Sequence, residues 1–385
     1  MRLTFFHDHR FVTFDGSYYS NGAFPHLAWK RYFEIATELS VCARLSLSTS
    51  KVGLAECCKD GEKNPNFSLI STNRVPILFS GAAHRHIKLE VSHSDVIVAR
   101  LPSEIGLRAI KYAKQLNKPY AIEVVGCSWD ALWNRGSWIG RCYAPIAFLR
   151  MRSAIKHSEQ ILYVTHSFLQ SRYPKNNDAF AVNASNIELL EAPVASKRCN
   201  NDIFSIGLIG NYSTNYKGID VAMKAVQLLR KRGINLCLRI LGAGDDQKYR
   251  SIAEKLGILE SVHFDGTRKF GRSVYEWIDG LDAYVQPSRQ EGLPRALIEA
   301  MSRGKICVGS NCGGISELLL SNRIHKVGCH ISLQNKLLDI LSLDQTQKLQ
   351  EQNRNLEFAK KNFSQAVIHE KRSKFYNYLK VRSRK

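Results

Sequence analysis

The clearest fold signal in the chain lies in residues 282–321, DAYVQPSRQEGLPRALIEAMSRGKICVGSNCGGISELLLS. Its first residues, 282–286, form a short apolar run whose composition is typical of a buried strand. Pro294 then stands where a helix would begin, and Gly304 where it would end. The pattern therefore predicts a strand, a polar loop and a helix in succession.

The second half of the stretch repeats this arrangement. Residues 305–308 predict another short strand, the Gly313-Gly314 pair predicts a turn, and residues 315–320 predict the opening of a second helix. Two consecutive βα units indicate an open α/β sheet with parallel strands.

Two carboxylates are placed to meet a ligand in such a sheet. Glu291 lies in the loop after the first strand, and Glu299 lies about a turn and a half into the following helix. Ligands bind beyond the carboxyl ends of the strands in an open parallel sheet, and a helix start offers unpaired backbone N–H groups to an anion. A phosphate beside the helix start, with hydroxyl-bearing groups on either side, describes a nucleotide sugar.

Residues 291–299, EGLPRALIE, resemble the motif of two glutamates separated by seven residues in family-4 retaining glycosyltransferases. The flanking Pro287-Ser288, Ala300-Met301 and Gly313-Gly314 agree with it. The resemblance covers residues 203–321 well and the N-terminal half loosely. It implies the α/β GT-B fold, in which two Rossmann-like doubly wound domains face a central cleft.

The resemblance also implies a division of the chain into three parts. We expect residues 1–190 to form an N-terminal, acceptor-side Rossmann-like domain and residues 200–355 to form a C-terminal, nucleotide-sugar-binding one. Residues 356–385 would form a basic helix that crosses back to the N-terminal domain. The polar segment 175–202 would supply the linker.

Composition limits the cellular setting. The chain has 385 residues, of which 44% are hydrophobic, and contains no apolar run of about eighteen residues. Its start lacks the apolar core of a signal peptide. The ten cysteines include no CxxC pair, which favours a reducing cytoplasm over disulfides or zinc. We therefore expect a cytoplasmic protein with no metal and no cofactor besides its donor substrate.

The net charge of +21 favours anionic partners. The excess is spread along the chain, and no nucleic-acid-binding signature is present, so nucleic acid is not expected. Residues 129–156 combine tryptophans with arginines and a lysine, a composition found at membrane interfaces. The alternative is a helix that packs on the N-terminal sheet and leaves a basic face in solvent. The first reading predicts peripheral contact with the acidic inner face of the cell membrane.

Other N-terminal patterns are weaker. Residues 2–6 predict a strand with a polar end at His7-Asp8-His9, and residues 25–39 predict a helix. Residues 50–90 predict only short strands and a variable excursion. By resemblance, Gly22 would lie where the family approaches the donor phosphate. Many family members carry a histidine after the strand at 118–125, but this chain has none there; Asp130 is the candidate, with Glu123 and Gly126 nearby.

In the C-terminal half, Lys217 would begin a helix at the carboxyl end of a strand, where it could neutralise a diphosphate. The family normally has an arginine six residues earlier, where this chain has Asn211, which remains a donor-binding candidate. Arg289 or Arg295 could substitute for the arginine, or the leaving group could be held differently. The resemblance assigns Glu291 to the sugar hydroxyls and Glu299 to the ribose. The remaining donor-binding candidates are Thr267, Arg268, Gly292, Leu293, Pro294 and Ala296.

The predicted activity is transfer of a sugar, with retention, from a nucleoside diphosphate sugar, UDP being expected, to a glycan or polyprenyl-linked acceptor. Glu291, Lys217 and Asp130 are the predicted catalytic residues. The stretch 100–174 resembles bacterial enzymes of capsule, exopolysaccharide or lipopolysaccharide synthesis. Two alternatives remain open: a nucleotide-sugar epimerase of GT-B fold, and a catalytically inactive nucleotide-sugar-binding protein.

Overall fold

The computed structural model describes residues 1–20, 24–47, 54–71, 77–134, 136–187, 189–190, 203–269 and 271–383. The chain forms two compact units. Unit 1 comprises Met1–Trp129, Cys142–Ala184 and His369–Lys385, and unit 2 comprises Asp130–Arg141 and Ser185–Ile368.

The strands are β1 (Arg2–Phe14), β2 (Ser17–Ser20), β3 (Glu38–Ser46), β4 (Ala55–Glu56), β5 (Asn66–Ser71), β6 (Val96–Leu101), β7 (Tyr120–Val124), β8 (Gln160–Tyr163), β9 (Phe180–Asn183), β10 (Phe204–Ile209), β11 (Leu236–Leu241), β12 (Val262–Phe264), β13 (Ala283–Gln286), β14 (Ile306–Ser310) and β15 (Ile324–His325). The α-helices are α1 (Lys30–Phe33), α2 (Gly81–Ser92), α3 (Glu104–Gln115), α4 (Ser128–Trp133), α5 (Trp138–Lys156), α6 (Phe168–Arg172), α7 (Ile219–Lys231), α8 (Gln247–Lys255), α9 (Arg272–Asp279), α10 (Arg295–Ser302), α11 (His330–Leu341), α12 (Gln345–Phe363) and α13 (Gln365–Arg382).

Unit 2 is built on a six-stranded sheet in the order β12-β11-β10-β13-β14-β15, with every neighbouring pair parallel. This is the doubly wound order 3-2-1-4-5-6, in which the chain reverses its direction of progress between strands 1 and 4. The switch point lies between β10 and β13. Loops that follow these two strands should therefore form a ligand crevice at the carboxyl edge.

Unit 1 has a nine-stranded sheet whose parallel strands run in the order β5-β3-β1-β6-β7-β8-β9. The last part of β1 also pairs antiparallel with β2, and β2 pairs with β4. The central strands are buried on both faces, as their continuous apolar sequences predict. Val41, Val98 and Ile122 are fully buried examples.

The first strand and helix differ from the predictions. β1 continues to Phe14, so His7-Asp8-His9 lies inside the strand and not at its end. The predicted helix over 25–39 is replaced by a 3-10 turn, His26–Trp29, and the short helix α1. Trp29 and Tyr32 of this segment are buried. The chain enters β3 at Glu38, which leaves no room for further helical turns.

Three further predictions differ from the structure. The 50–90 region contains the short strands β4 and β5, as predicted, but also the helix α2, which was not predicted. Ser80 caps α2 by accepting a hydrogen bond from the Ala83 N–H at 3.2 Å. The segment 175–202 contains β9, which pairs with β8. Residues 313–317 form a 3-10 turn and not the start of an α-helix.

The predicted boundary at residue 356 falls within α12, so the C-terminal helix begins later than predicted. The helices break at Ser364, and α13 supplies buried side chains to unit 1. Tyr376 donates to Glu123 at 2.7 Å, and the Phe375 carbonyl accepts from Gln160 at 2.6 Å. In a second difference from the predicted bounds, residues 130–141 group with unit 2.

Candidate functional site

The loop after β10 brings Lys217 to the switch point of unit 2. Gly218 follows it with φ of +70°, and a Cβ at that position would lie 2.0 Å from the Pro287 carbonyl oxygen. Only glycine fits both the left-handed backbone and this close approach. The glycine therefore lets the β10 loop lie directly against the loop that follows β13.

The Glu291 carboxylate, in the β13 loop, accepts three hydrogen bonds on one oxygen. Oε1 lies 2.7 Å from Lys217 Nζ, 2.8 Å from Ser288 Oγ and 3.0 Å from Gln286 Nε2. Within the described ranges no side chain or backbone group donates to Oε2. The carboxylate is thus held rigidly through one oxygen, and the other remains available to accept from a ligand hydroxyl.

Lys217 is largely buried beside this carboxylate. Burial lowers the pKa of the Lys217 ammonium, but the charge of Glu291 and the hydrogen bond to it offset that effect, and the net pKa lies above its usual value. Lys217 Nζ also lies 5.1 Å from the centre of the Tyr216 ring. The lysine is therefore fully charged at neutral pH.

Behind Glu291, a chain of buried polar groups supports the site. The Ile209 N–H donates to the Tyr284 hydroxyl at 3.2 Å, and that hydroxyl donates to Gln286 Oε1 at 2.9 Å. Gln286 Nε2 then donates to both Ser288 and Glu291. Tyr284 and Gln286 could not be recognised as site residues from the sequence, because their position in a short apolar strand indicates only burial.

The Gly313-Gly314 turn holds the Glu291 loop from the other side. The Gly314 N–H donates to the Gly292 carbonyl at 2.7 Å. Gly313 has φ of +57°, and a Cβ there would lie 2.3 Å from the Glu291 carbonyl oxygen. The glycines noticed in the sequence thus serve close backbone packing of the loop that carries the carboxylate.

Glu299 is a buried carboxyl group on α10. Glu299 is 8% exposed, and its side chain forms no hydrogen bond with the residues that the structure describes. Burial raises the pKa of Glu299 to about 7, while the nearby Arg295 guanidinium lowers it by a smaller amount. A buried carboxyl group without donors is costly, and ligand hydroxyls would supply the missing hydrogen bonds.

The two candidate substitutes for the missing arginine differ. Arg289 forms a bidentate ion pair with Asp220, in which Nη1 lies 2.9 Å from Oδ1 and Nη2 lies 2.7 Å from Oδ2. Arg289 also donates to the Asn215 carbonyl at 2.7 Å. Arg295 is exposed at the first position of α10. Asn211 is exposed, and its side-chain oxygen accepts from the Ser213 N–H at 2.7 Å.

The remaining predicted residues fall into two groups. Gly292, Leu293, Pro294 and Ala296 lie in the Glu291 loop and the first turn of α10, with Pro294 as the residue that precedes the helix. Thr267 and Arg268 are exposed in the loop after β12, and neither is among the described hydrogen-bond partners of Lys217 or Glu291. Their donor-binding roles stay predictions.

Of the two predicted N-terminal site residues, Asp130 groups with unit 2 and lies near this centre, because the charges of Asp130, Glu291 and Lys217 all shift the pKa of the Cys312 thiol. Asp130 is half-buried in the first turn of α4, and its catalytic role stays a prediction. Gly22 lies outside the described residues.

The His7-Asp8-His9 segment is occupied by protein contacts. Asp8 accepts from the backbone N–H groups of Glu104 and Ile105, both at 3.0 Å, at the start of α3. His7 Nδ1 lies 3.1 Å from the Arg100 carbonyl oxygen, and His9 Nε2 lies 2.9 Å from Ser20 Oγ. Asp8 therefore caps a helix, and the two histidines bridge neighbouring segments of unit 1.

Comparison with known proteins identifies the class. Residues 203–339 match the family described as Glycosyl transferases group 1. Protein CapJ of Staphylococcus aureus is 33% identical over 326 residues, which cover 82% of this chain and 80% of that protein. The putative colanic acid biosynthesis glycosyltransferase WcaL of Escherichia coli is 29% identical over 138 residues, covering 34% of this chain and 33% of WcaL.

Solved structures agree on the fold. The crystal structure of Anabaena HepE in complex with UDP and glucose superposes with a TM-score of 0.68 at 13% identity, covering 98% of this chain and 99% of that one. With an α/β unit built on each of two mainly parallel sheets, the fold class is GT-B. The protein is a glycosyltransferase. The chain belongs to the family Glycosyl transferases group 1, as the match over unit 2 and the long similarity to CapJ show.

Proposed function

We propose that the protein transfers a sugar, with retention of anomeric configuration, from a UDP-sugar to a glycan or lipid-linked acceptor in bacterial surface polysaccharide synthesis. The observation that carries this proposal is the Lys217–Glu291 pair at the switch point of unit 2, with the buried Glu299 carboxyl group about one turn into the following helix α10. Lys217 offers a positive charge for a diphosphate. Glu291 and Glu299 offer acceptors for the hydroxyl groups on either side of it, namely those of the sugar and of the ribose.

In the proposed mechanism, charge stabilisation does most of the catalytic work. The Lys217 ammonium and the unpaired N–H groups at the start of α10 would stabilise the negative charge on the departing diphosphate. Glu291 Oε2 would accept from a sugar hydroxyl, and Glu299 from the ribose hydroxyls. The leaving phosphate would take the proton of the acceptor hydroxyl, so that the protein supplies no nucleophile. We propose that the reaction uses no metal, because Lys217 and the start of α10 would supply the positive charge.

The known relatives support the donor and the pathway. HepE has been crystallised with UDP and glucose, and WcaL is described as a colanic acid biosynthesis glycosyltransferase. The loops that follow β10 and β13 pack closely against each other at Gly218. A nucleotide could therefore lie across the switch point between these two strands. We extend UDP-sugar use and polysaccharide synthesis to this chain on these grounds.

A survey of nucleotides tests the donor site. We expect UDP, at about a hundred times its dissociation constant, to stabilise the folded protein by about 2.7 kcal/mol, and GDP, ADP, CMP and NAD to have little effect. The Glu299→Ala variant should lose this stabilisation, because the ribose hydroxyls lose their acceptor. Thermal unfolding with each ligand measures it. No stabilisation of the wild-type protein by any of these ligands would contradict the proposal.

Product analysis separates the proposal from its alternatives. Incubation of the wild-type protein with UDP-sugar and a lipid-linked glycan acceptor should release UDP and extend the acceptor. An epimerase would change the sugar without needing an acceptor, and an inactive binding protein would bind UDP without turnover. The expected loss of turnover in Glu291→Ala would exclude a contaminating enzyme as the source of activity.

Helix α5 supports the proposed membrane contact. Within the described residues, no helix is both long and apolar enough to cross a bilayer. However, Ile146 and Leu149 on α5 are 53% and 64% exposed, and exposed Arg152 and Lys156 continue the same side of the helix. The α5 sequence contains no acidic residue. An apolar patch beside cations matches the interface of an anionic bilayer, which we propose as its partner.

Vesicle binding tests this contact. The double variant Ile146→Ser/Leu149→Ser should bind vesicles of phosphatidylglycerol and phosphatidylcholine at least about tenfold more weakly, since burying each side chain contributes about 1.5–3 kcal/mol. Co-sedimentation measures the affinity. Leu349→Ser on α12, where Leu349 is 54% exposed, is the matched control and should bind normally. Equal binding of the double variant and the control, or no binding by the wild type, would contradict the contact.

A further inference from the structure

The Lys217–Glu291 pair leaves the site without the net positive charge that a diphosphate requires. The ammonium and the carboxylate are 2.7 Å apart, and both are mostly buried. Together they present no net charge to an incoming anion. If the proposed function is correct, another cation must face the diphosphate, because stabilisation of the departing charge depends on positive groups that are already in place.

Neither Asn211 nor Arg289 supplies this cation. Asn211 is uncharged, and its side-chain oxygen accepts from the Ser213 N–H within its own loop. Arg289 is engaged by both Asp220 carboxylate oxygens and by the Asn215 carbonyl. That network ties the β13 loop to the first turn of α7. Releasing Arg289 for a ligand would leave the half-buried Asp220 unpaired, at a cost in stability.

Arg295 is the other arginine that could substitute. It is the first residue of α10, four residues after Glu291 and four before Glu299, so it lies on the side of the helix that carries Glu299. Its side chain is exposed and forms no ion pair or hydrogen bond with any part of the chain that the structure describes. The Arg295 charge also lowers the pKa of two neighbours. At Glu299 this effect is smaller than the opposite effect of burial, and at Lys217 it is smaller than the effects of burial and of Glu291.

We propose that Arg295 is the second cation of the donor site and binds the diphosphate together with Lys217, in place of the arginine that Asn211 replaces. The inference rests on the proposed nucleotide-sugar function. A guanidinium is suited to this role because it presents several N–H donors in a plane that matches two phosphate oxygens. At the start of α10, it would act beside the unpaired backbone N–H groups of the helix.

The test compares a ligand that has the diphosphate with one that lacks it. For Arg295→Ala we expect UDP affinity to fall about tenfold or more, as for loss of a charge-assisted hydrogen bond, while uridine affinity is unchanged. Arg295→Lys should keep part of the UDP affinity. Arg272→Ala is the control, because Arg272 is an exposed arginine of the same unit, at 83% side-chain exposure. Equilibrium titration measures each affinity.

A compensating change adds a readout that a merely structural role would not produce. In the Arg295→Ala background, Asn211→Arg should restore a substantial part of the UDP affinity, and the salt dependence of UDP binding should become shallower in Arg295→Ala alone. If wild type binds UDP and Arg295→Ala binds it equally well, the inference is wrong and the proposed function stands. If wild type does not bind UDP, the proposed donor site itself is wrong.

Discussion

Lys217→Ala is expected to reduce kcat/KM for sugar transfer by about 100- to 1000-fold, the loss usually seen when one preorganised electrostatic donor is removed. Lys217 is the buried cation at the switch point of unit 2, and Glu291 holds it in place at 2.7 Å. A water molecule in place of its ammonium would carry no charge and would have to reorient as the diphosphate departs. We therefore expect the effect mainly on kcat.

Lys224→Ala controls for the loss of one positive charge. Lys224 is exposed on α7, near Lys217 in the sequence, and its replacement should leave kcat/KM within about twofold of wild type. Thermal unfolding of both variants would show whether either has lost its fold. If folded Lys217→Ala retained a third or more of wild-type activity, Lys217 would not be the group that stabilises the leaving diphosphate.

Glu299→Gln is expected to make the protein more stable above pH 7 while weakening nucleotide binding. Burial raises the pKa of Glu299 from its usual value near 4.5 to about 7. In the unfolded chain this group ionises near pH 4.5, but in the folded protein it holds its proton to about pH 7. The folded state therefore binds more protons in this window, and its stability falls as pH rises from about 4.5 to 7.

The size of the effect follows from the same difference. One pKa unit corresponds to about 1.4 kcal/mol, so ionised Glu299 costs the folded state about 3 kcal/mol above pH 7. Glutamine resembles the protonated carboxyl group and avoids this cost. Denaturant unfolding should show Glu299→Gln about 2–3 kcal/mol more stable than wild type at pH 8 and within about 1 kcal/mol at pH 5.

Glu260→Gln provides the comparison, because Glu260 is exposed in the same unit and its change should alter stability little at either pH. UDP affinity should fall more than tenfold in Glu299→Gln, since an amide accepts the ribose hydroxyls less strongly than a carboxylate. A Glu299→Gln protein that is no more stable than wild type at pH 8 would show that Glu299 ionises in the folded state without cost.

Much of unit 2 could be predicted from sequence because its signals are local. The strands at 204–210, 236–241 and 282–286 are short apolar runs, and α7 and α10 show helical spacing of buried residues with glycines or proline at their ends. Unit 1 was predicted less well. The 25–39 segment contains helix-forming residues, but it forms only two short turns because the chain already enters β3 at Glu38.

The candidate site shows the same division. Glu291 and Glu299 were found because one loop and one helix carry both, and Lys217 because it precedes a helix after an apolar strand. Their arrangement was not predictable, because Lys217 and Glu291 are 74 residues apart and meet only when β10 and β13 pair. The sequence also did not show which arginine forms an ion pair within the protein, because the partner of Arg289 is Asp220, on a different βα unit.

The parallel α/β class, the two-carboxylate motif and the positions of the glycine turns could be predicted because each depends on residues close together along the chain. Only the folded structure shows that Glu291 neutralises Lys217 and that Glu299 is buried without a hydrogen-bond donor among the described residues. It also shows that Arg289 pairs with Asp220 while Arg295 is exposed. Burial and charge pairing depend on which strands become neighbours, and the strand order of the sheet is a property of the whole fold.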